Sequence, residues 1–415
     1  MRYLEKLLEN AQVEWKPLGE ISEIYGGLTG KNKADFEHGN AKYISYKNIF
    51  FNLNVNYNTL DLVKISDSEN QHVVKYGDVL FTGSSETAEE VGMSSSVTVN
   101  FEEPVYLNSF SFGVRFNEDI QLIPEFSKYL FRSNFMRAEI SKTASGVTRF
   151  NVSKARFKKL QIPIPSLEVQ KKIVRILDTF TELTAELTAE LTARKKQYNY
   201  YINDLFSFDE GKFERKTLGE IGEFQRGKRF VRNDIISEGI PCIHYGEMYT
   251  HYGTWANESK SFLSEELVDN KRLRFAEKGD VVIVAAGETI EDIGMGTAWL
   301  GNDNVVIHDA CFSYRSPLNP KYVAYYTRSK HFHDQIIKHI SSGKISAINA
   351  KGLSTAVIPV PSPKEQERIV SVLDKFDILT TSISEGLPKE IELRQKQYEY
   401  YRDMLLSFPK DNLTM

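Results

Sequence analysis

The sequence is poor in cysteine and has no long apolar run. Only Cys242 and Cys311 occur among its 415 residues, and their spacing fits neither a disulfide framework nor a zinc site. No apolar stretch approaches the ~18 residues that a membrane-spanning helix needs. The first ten residues, MRYLEKLLEN, are charged and amphipathic, unlike a secretory signal. These absences predict a cytoplasmic protein whose cysteines are small core residues.

The sequence also lacks a large excess of either charge. Its 52 Lys and Arg oppose 56 Asp and Glu, and the formal net charge is −4 with a pI near 6.1. This balance argues against a protein that coats nucleic acid without selectivity, although it permits a local basic face. Hydrophobic residues make up 41% of the chain and charged residues 26%. That composition is typical of a globular protein, and the length predicts two to three domains.

Motifs for catalysis are missing as well. An adenine methyltransferase needs an Asn/Asp-Pro-Pro-aromatic loop for the flipped base and a Gly-rich turn for its cofactor. The nearest match, residues 319–322 (NPKY), lacks the second proline and predicts a surface turn. Residues 26–31 (GGLTGK) depart from the spacing of a phosphate-binding loop, and Asn32 stands where that loop has Ser or Thr. His331 and His333 show no metal-ligand spacing. We therefore expect no catalytic, cofactor-binding or metal-binding residue.

Residues 168–208 contain neither Gly nor Pro and predict one long helix. Apolar residues repeat along it at the three-and-four spacing of a coiled-coil seam, and its middle contains two TAEL blocks, 184–187 and 188–191. At ~1.5 Å per residue the helix would span roughly 60 Å, so it should separate two domains. The seam residues are Ile173, Leu177, Phe180, Leu187, Leu191, Tyr198 and Tyr201.

Four sequence blocks recur in the same order in the two halves of the chain. The matched pairs are 14–21 with 214–221, 77–93 with 279–295, 162–180 with 358–376, and 195–208 with 395–408. A period this long indicates a duplicated unit made of a globular part and a helix, not a solenoid. The seam of the second helix is therefore Ile369, Leu373, Phe376, Tyr398 and Tyr401.

Each globular part has an α+β pattern. Short runs rich in Ile, Val, Phe and Tyr predict a mostly antiparallel sheet, followed by one helix at 124–141 in the first part and at 321–340 in the second. Gly386 and Pro388 predict a kink in the second long helix. The expected fold class is thus α+β, with two globular domains joined by two long antiparallel coiled-coil helices and related by a pseudo-twofold internal repeat.

Proline pairs and the repeat define the expected boundaries. An N-terminal segment (1–12) should pack with the helical spacer. The further divisions are a first globular domain (13–165), a central spacer helix (166–208), a second globular domain (209–361), a distal spacer helix (362–408) and a tail (409–415).

Basic residues cluster where acidic residues are absent. Residues 140–167 contain no Asp or Glu, and neither do residues 335–364 at the same place in the second half. Two matched acid-free stretches predict two phosphate-facing surfaces, although a merely solvated face would have the same sequence pattern. Their cations are Lys142, Arg149, Lys154, Arg156, Lys158 and Lys159 in the first stretch, and Lys338, Lys344, Lys351 and Lys364 in the second.

The repeated helical blocks, the Leu-Gly-Glu-Ile openings and the TAEL run resemble the specificity subunit (HsdS) of type I restriction–modification systems, most closely the type IC group. The resemblance covers essentially the whole chain. It implies two target-recognition domains that each read one half of a bipartite, asymmetric site in double-stranded DNA, on a spacer of two helices. It also implies two modification subunits, which bind S-adenosylmethionine and methylate adenine N6. Two restriction subunits, which use ATP and magnesium, would bind through them.

Contacts to DNA grooves require polar side chains on loops that project from a rigid scaffold. The candidates in the first domain are Lys31, Asn32, Tyr46, Lys47, Asn48, Lys142, Arg149, Asn151 and Lys154. Those in the second are Arg226, Lys228, Arg229, Arg232, His244, Tyr245, Lys344, Ser346 and Asn349. Any one of them could instead be an ordinary solvated side chain. The Gly-Asp pairs at 77–78 and 279–280 are interpreted as turns before buried strands.

Two other functions stay open on the sequence alone. One is a self-contained DNA methyltransferase or nuclease, which the missing cofactor motifs oppose. The other is a coiled-coil scaffold whose globular ends bind proteins, which would show no preference for a bipartite DNA site.

Overall fold

The computed structural model describes residues 12–207, 213–382 and 385–409. These residues form two compact units, one made of 12–186 with 392–409 and the other lying within 187–391. Each unit therefore contains one globular domain, the beginning of the long helix that follows it, and the end of the other long helix. Nearly all of the expected N-terminal segment and tail lies outside the described residues.

The first domain is built from short strands with a few short helices. Its strands are β1 (Val13–Pro17), β2 (Ser22–Gly26), β3 (Ala41–Ile44), β4 (Asp61–Val63), β5 (Val79–Thr82), β6 (Ser84–Ser85), β7 (Ser94–Ser96), β8 (Val105–Leu107), β9 (Ser111–Phe116), β10 (Ala144–Ser145), β11 (Phe150–Val152) and β12 (Gln161–Pro165). Its helices are α1 (Leu18–Ile21), α2 (Tyr46–Phe51), α3 (Pro124–Leu130), α4 (Asn134–Lys142) and α5 (Lys154–Phe157).

The main sheet of the first domain is antiparallel, in the order β2-β9-β5-β7. A second sheet has the order β4-β3-β8, in which β3 and β8 are parallel. The smaller pairings are β10-β11-β6 and β1-β12. The core contains fully buried aromatic rings, with Phe81 centred 5.0 Å from Phe157 and 5.2 Å from Phe131. Burial of such large side chains is the main stabilising contribution.

The second domain repeats this plan after the long helix α6 (Leu167–Asp204). Its strands are β13 (Glu214–Thr217), β14 (Glu223–Arg226), β15 (Ile240–Ile243), β16 (Trp255–Ala256), β17 (Ser261–Leu263), β18 (Phe275–Ala276), β19 (Val281–Val284), β20 (Ala286–Gly287), β21 (Gly296–Trp299), β22 (Val305–Ile307), β23 (Cys311–Arg315), β24 (Ser346–Ala347) and β25 (Val357–Val360). Its helices are α7 (Leu218–Ile221), α8 (Glu247–Thr250), α9 (Glu265–Lys271), α10 (Pro320–Tyr326), α11 (Lys330–Ile336) and α12 (Ala350–Ser354), and the distal helices are α13 (Pro363–Thr381) and α14 (Leu387–Leu405).

The sheets of the second domain correspond to those of the first. The main sheet has the order β14-β23-β19-β21-β16, and the second sheet has the order β17-β15-β22-β18. The small β20-β24 pairing stands where the first domain has β6 paired with β11, and β13-β25 stands where the first has β1-β12. The expectation of two related α+β domains is confirmed.

Where the sequence predicts one helix after each sheet, the structure has two. Ser133 accepts a hydrogen bond from the Met136 N–H and caps α4, so the chain turns between α3 and α4. Ser329 caps α11 in the same way through the Phe332 N–H. The prediction of single helices over 124–141 and 321–340 was wrong, because apolar periodicity continues across these capped turns.

The two long helices are antiparallel, and each unit contains a part of both. In the first unit the ring of Phe180 stacks on Tyr401, with centroids 5.2 Å apart and planes at 20°. In the second unit Tyr201 and Phe376 are 5.3 Å apart. The fully buried seam residues are Ile173, Leu177, Ile369 and Leu373.

The distal helix is interrupted between α13 and α14. Gly386, directly before α14, has φ +83°, a left-handed conformation that favours glycine. This is where the sequence predicts the kink. The central helix α6, by contrast, is continuous from Leu167 to Asp204.

A glutamine at the start of each long helix fastens the helix to its domain. The Gln170 amide accepts a hydrogen bond from the Ile123 N–H at 3.0 Å and donates to the Pro165 carbonyl at 2.7 Å. The Gln366 amide accepts from the Asn319 N–H at 2.8 Å and donates to the Pro361 carbonyl at 2.9 Å. Since both side chains are buried, these bonds hold each domain in one orientation on its helix.

Candidate nucleic-acid interface

The Gly-Asp motif before the central strand of each domain forms a structural ion pair. The buried Asp78 carboxylate accepts two hydrogen bonds from the Arg115 guanidinium, at 2.8 and 2.7 Å. The buried Asp280 carboxylate accepts two from Arg315, at 2.8 and 3.0 Å. The motif therefore orders the sheet and places the loop that follows it, which agrees with the structural interpretation from sequence.

Residues from separate loops meet beside the short strand β6 of the first domain. The Tyr46 hydroxyl donates to the Ser84 carbonyl oxygen at 2.9 Å, and Arg149 Nε donates to the Ser84 hydroxyl at 3.1 Å. Asn151 pairs with Ser84 between β11 and β6. The Arg149 guanidinium also lies 5.9 Å from the ring centre of Phe110, which is 62% exposed. We call Tyr46, Ser84, Phe110, Arg149 and Asn151 the first edge.

The turn between β10 and β11 lies fully exposed at the first edge. Residues 145–149 are all exposed, and the Val147 side chain is 92% exposed. Gly146 has φ +148°, which favours glycine in this tight turn. The turn thus presents an apolar tip beside the Arg149 cation, and such side chains contact thymine methyl groups and guanine edges in a major groove.

Two of the candidates in the first domain are held inside the protein. Lys31 forms an ion pair with Glu69 at 2.5 Å, and its side chain is only 5% exposed. The buried Asn48 amide donates to the Asn56 carbonyl at 2.9 Å and accepts from the Asn56 N–H at 3.0 Å. These contacts occupy both side chains within the domain. Asn32 caps the short turn that follows it. The candidates that remain exposed outside the first edge are Lys47, Lys142 and Lys154.

In the second domain the matching loops surround a pair of imidazoles. The rings of His244 and His308 are 4.9 Å apart, and Tyr245 and Phe230 each lie 5.1 Å from His308. His308 Nδ1 accepts a hydrogen bond from the Ala310 N–H at 3.1 Å, while Nε2 lies 2.9 Å from the Phe230 carbonyl oxygen. The Asp309 carboxylate also lies close to this ring, with Oδ1 3.0 Å from Nδ1.

Tyr249 holds the place in the second domain that Tyr46 holds in the first. Its hydroxyl lies 3.5 Å from the carbonyl oxygen of Ala286, the residue that the repeat matches to Ser84. The sequence matched Tyr46 with Tyr245 and missed Tyr249, although the helix that carries Tyr249 follows the same strand. We call Phe230, His244, Tyr245, Tyr249 and His308 the second edge.

The remaining candidates of the second domain surround this edge. Arg229 and Arg232 are exposed, and Arg226 Nε donates to the Asp309 carbonyl at 2.9 Å. Lys344 and Ile345 are exposed in the loop before β24. Three other candidates are tied to the protein: Lys228 contacts the Lys271 carbonyl at 3.4 Å, Ser346 is buried in β24, and Asn349 caps α12.

Burial controls the ionisation of the second edge. It lowers the pKa of His308 and of His244 below the ordinary histidine value. Asp309 and Glu247 oppose this shift, whereas Arg229 beside His308 and Arg232 beside His244 add to it. Folding therefore favours the neutral form of both imidazoles.

We expect His308→Asn to make the second unit less sensitive to acid. Because folding favours the neutral imidazole, the native protein loses stability as the pH falls through the unfolded-state histidine pKa of about 6.5. Asn108 occupies the matched position of the first domain, and its side chain accepts a hydrogen bond from the Phe110 N–H at 2.9 Å. An Asn at position 308 can therefore accept from the Ala310 N–H, as His308 does, without adding a group that titrates. Urea unfolding at about pH 7.5 and 5.5 measures this effect. An equal acid loss in the variant and the native chain would contradict it.

Comparison with known proteins shows the family to which the chain belongs. A family model described as the type I restriction modification DNA specificity domain matches twice, over residues 10–194 and 210–393. The chain belongs to this family. It is a specificity subunit of a type I restriction–modification system, a non-catalytic subunit that recognises DNA. Its partners are accordingly DNA and the other subunits of such a system.

Relatives of this specificity subunit match it along nearly the whole chain. It is 35% identical to the EcoR124I/EcoR124II specificity subunit of Escherichia coli, over 99% of this chain and 98% of that protein. It is 28% identical to the EcoprrI specificity subunit of Escherichia coli, over 93% of this chain and 92% of the relative. A solved chain from a structural study of the assembly and conformational transition of a type I R-M system has a TM-score of 0.65 at 18% identity, covering 95% of this chain and 97% of that one. This last likeness supports the fold.

The described residues contain neither a membrane-spanning helix nor a cluster of metal ligands. Within them, no helix of the specificity subunit is long and apolar enough to cross a membrane. No group of three or more His, Cys, Asp or Glu that could hold a metal ion occurs in residues 12–207, 213–382 and 385–409.

Proposed function

We propose that each globular domain reads one half of a bipartite, asymmetric site in double-stranded DNA. The observation that supports this is that the two domains share one backbone arrangement but carry different side chains at matched positions. Tyr46 and Tyr249 contact matched backbone positions, whereas Ser84 is matched by Ala286. Asn151, which pairs with Ser84 in the first domain, is matched by Ala347, which pairs with Ala286 in the second. A shared backbone arrangement with different side chains at matched positions suits two different half-sites.

The exposed groups at the edges have the chemistry of groove recognition. A guanidinium such as that of Arg149 donates two hydrogen bonds to a guanine, and the Asn151 amide can pair with an adenine edge. In the second domain Arg229, Arg232 and Lys344 offer the corresponding donors. Lysines around the edges would contact phosphates, which fix orientation without reading sequence.

We further propose the assembly in which this subunit acts. Two modification subunits would dock on the chain, bind S-adenosylmethionine and methylate adenine N6. Two restriction subunits, with ATP and magnesium, would bind through them in the cytoplasm. The chain itself would hold no cofactor. Family membership and the missing methyltransferase motifs support this arrangement, and the TAEL run supports the type IC group.

Arg149→Ala and Lys344→Ala test the division of the site between the domains. Each variant should relax the base preference in a different half-site and weaken binding by about 1–3 kcal/mol, the usual effect of losing one base contact. Sequencing methylated sites in cells that express each variant with the modification subunit measures the result. If the native chain enriches no bipartite site, the proposed function fails and a protein-binding scaffold is favoured. If both variants alter the same half-site, the assignment of halves fails.

A further inference from the structure

A group of cations lies on the first domain where α4 ends and α5 begins. Lys142, Arg156 and Lys159 line a shallow cavity of about 240 Å³, and Glu139 is the one acidic residue in its lining. Lys158 stands between Arg156 and Lys159 at the end of α5 and is exposed. We call Lys142, Arg156, Lys158 and Lys159 the basic shelf.

The charge of the basic shelf is only partly neutralised. Lys142 pairs with Glu139 at 2.7 Å, but both side chains are exposed to solvent, so the pairing is weak. Among the described residues, Arg156, Lys158 and Lys159 form no ion pair. Arg156 instead places Nη1 3.4 Å from the Lys142 carbonyl oxygen. Since no acidic residue occurs from 140 to 167, this face keeps a net positive potential that attracts anions.

The basic shelf is continuous with the first edge. Helix α4 ends at Lys142, directly before β10, and α5 begins at Lys154, directly after β11. The backbone N–H of Ser153 donates to the Thr143 carbonyl at 3.1 Å and joins the two segments at the base of the hairpin. Lys154 lies between the first edge and Arg156 in the sequence, and its Nζ is 5.8 Å from the ring centre of Phe112. If double-stranded DNA binds at the first edge, its phosphate backbone would extend towards these cations.

The second domain lacks this shelf. The repeat matches Lys142 with Lys338, but it matches Arg156, Lys158 and Lys159 with Gly352, Ser354 and Thr355. The Ser354 hydroxyl donates to the Ala350 carbonyl at 2.7 Å, and the Thr355 hydroxyl lies 3.2 Å from His339 Nε2. The two acid-free stretches, which look equivalent in sequence, therefore differ in the charge that they present.

We propose that the basic shelf is a phosphate-binding site for the DNA backbone beside the first half-site, and that the second domain has no equivalent. The proposal rests on the proposed function, because it takes DNA as the ligand of the first edge. On this proposal, the first domain contributes more than the second to the part of the DNA affinity that depends on salt and not on sequence. Phosphate is the class of ligand that suits a cluster of exposed Lys and Arg in which, among the described residues, only Lys142 forms an ion pair.

The test removes three charges from each domain in turn. The variant Arg156→Gln, Lys158→Gln, Lys159→Gln neutralises the shelf, and Lys338→Gln, Lys351→Gln, Lys364→Gln removes three exposed cations from the acid-free stretch of the second domain. Each full-length variant, assembled with the modification subunit, is titrated with a duplex bearing the mapped site and with one whose first half-site is scrambled. Salt is varied from about 50 to 200 mM.

The shelf variant should lose 2 to 3 units of slope in a plot of log affinity against log salt, since each phosphate contact contributes about 0.9. Between about 200 and 50 mM salt, this lost slope should widen the difference in affinity between the shelf variant and the native chain by roughly 16- to 64-fold on both duplexes, while the sequence of the methylated site stays the same. The control variant should retain most of its slope. Equal slopes in both variants, or an unchanged slope in the shelf variant, would overturn the proposal. So would weaker binding of the modification subunit with an unchanged slope, which would identify an acidic protein surface as the ligand. Failure of the native chain to prefer any site would instead refute the proposed function.

Discussion

Replacing Asp78 with Ala is expected to lower the free energy of unfolding of the first unit by about 3–5 kcal/mol. The Asp78 side chain is fully buried and accepts hydrogen bonds from Arg115 Nη2 at 2.7 Å, the Lys75 N–H at 2.8 Å and the Tyr25 hydroxyl at 2.6 Å. Burial, and then the charge of Asp78, raises the pKa of Tyr25, so its hydroxyl stays protonated and donates. The Ala variant would leave a guanidinium and a hydroxyl inside the domain without their acceptor, and this loss of partner is the cause of the cost.

The matched variant Asp280→Ala is the control for this prediction. The Arg315 side chain is 57% exposed and also pairs with Glu277 at 2.9 Å, so water and Glu277 would satisfy it after the change. We expect a smaller loss, about 1–3 kcal/mol, confined to the second unit. Hydrogen exchange resolved by peptide measures both values, because β5 and β19 report on the two units separately. Equal losses, or a loss spread over both units, would contradict the proposed role of burial.

The sequence predicts the repeat and its frame well, because those features depend on local pattern. Four recurring blocks locate both domains, and the Gly-Asp pairs mark the turns before β5 and β19. The interruption of the distal helix follows from Gly386, a residue type with a specific backbone preference. Glycine, proline and apolar spacing act over a few residues, so they can be interpreted without knowing the rest of the fold.

The parts that the sequence did not predict depend on contacts between distant residues. Arg149 meets Ser84 only because β11 pairs with β6, and nothing in either loop indicates that pairing. Lys31 looks like an exposed loop cation, but Glu69 binds it from another loop. Seam periodicity likewise predicts that the two long helices pack together, but it does not predict that Phe180 lies against Tyr401, near the other end of the chain. The partners of single candidate side chains therefore could not be predicted from the sequence, and the contacts to DNA stay a prediction.

The two TAEL blocks lie in the part of α6 that is buried least. Leu187 and Leu191 are only half-buried, and Glu186 and Glu190 are exposed. They contrast with Ile173 and Leu177, which are fully buried near the start of the same helix. Because few tertiary contacts would be displaced, this segment should accept an added block while α6 remains one continuous helix.

We expect insertion of a third TAEL block after Leu191 to lengthen the spacer of the DNA site by one base pair and to abolish methylation at the native sites. Four residues advance an α-helix by ~6 Å and turn its far end by ~40° beyond a full turn. DNA advances ~3.4 Å and turns ~35° per base pair. To match the added rotation, the DNA spacer must lengthen by about one base pair, whereas matching the added length would take nearly two. We expect the rotation to determine the result, because a domain can read a groove only from the side that the groove faces.

Sequencing the methylated sites of this insertion variant measures the change directly, since the two half-site sequences should persist with a new distance between them. The matched control inserts the same four residues at Ser382, in the connection between α13 and α14, where the helix is already interrupted. Residues added where the helix is interrupted do not rotate one end of the helix relative to the other. This control should therefore keep the native spacing between the two half-sites. If the native spacing also persists with the insertion after Leu191, then α6 does not set the distance between the half-sites. A lengthening by two base pairs would mean that translation, and not groove facing, determines which pairs of half-sites form one target.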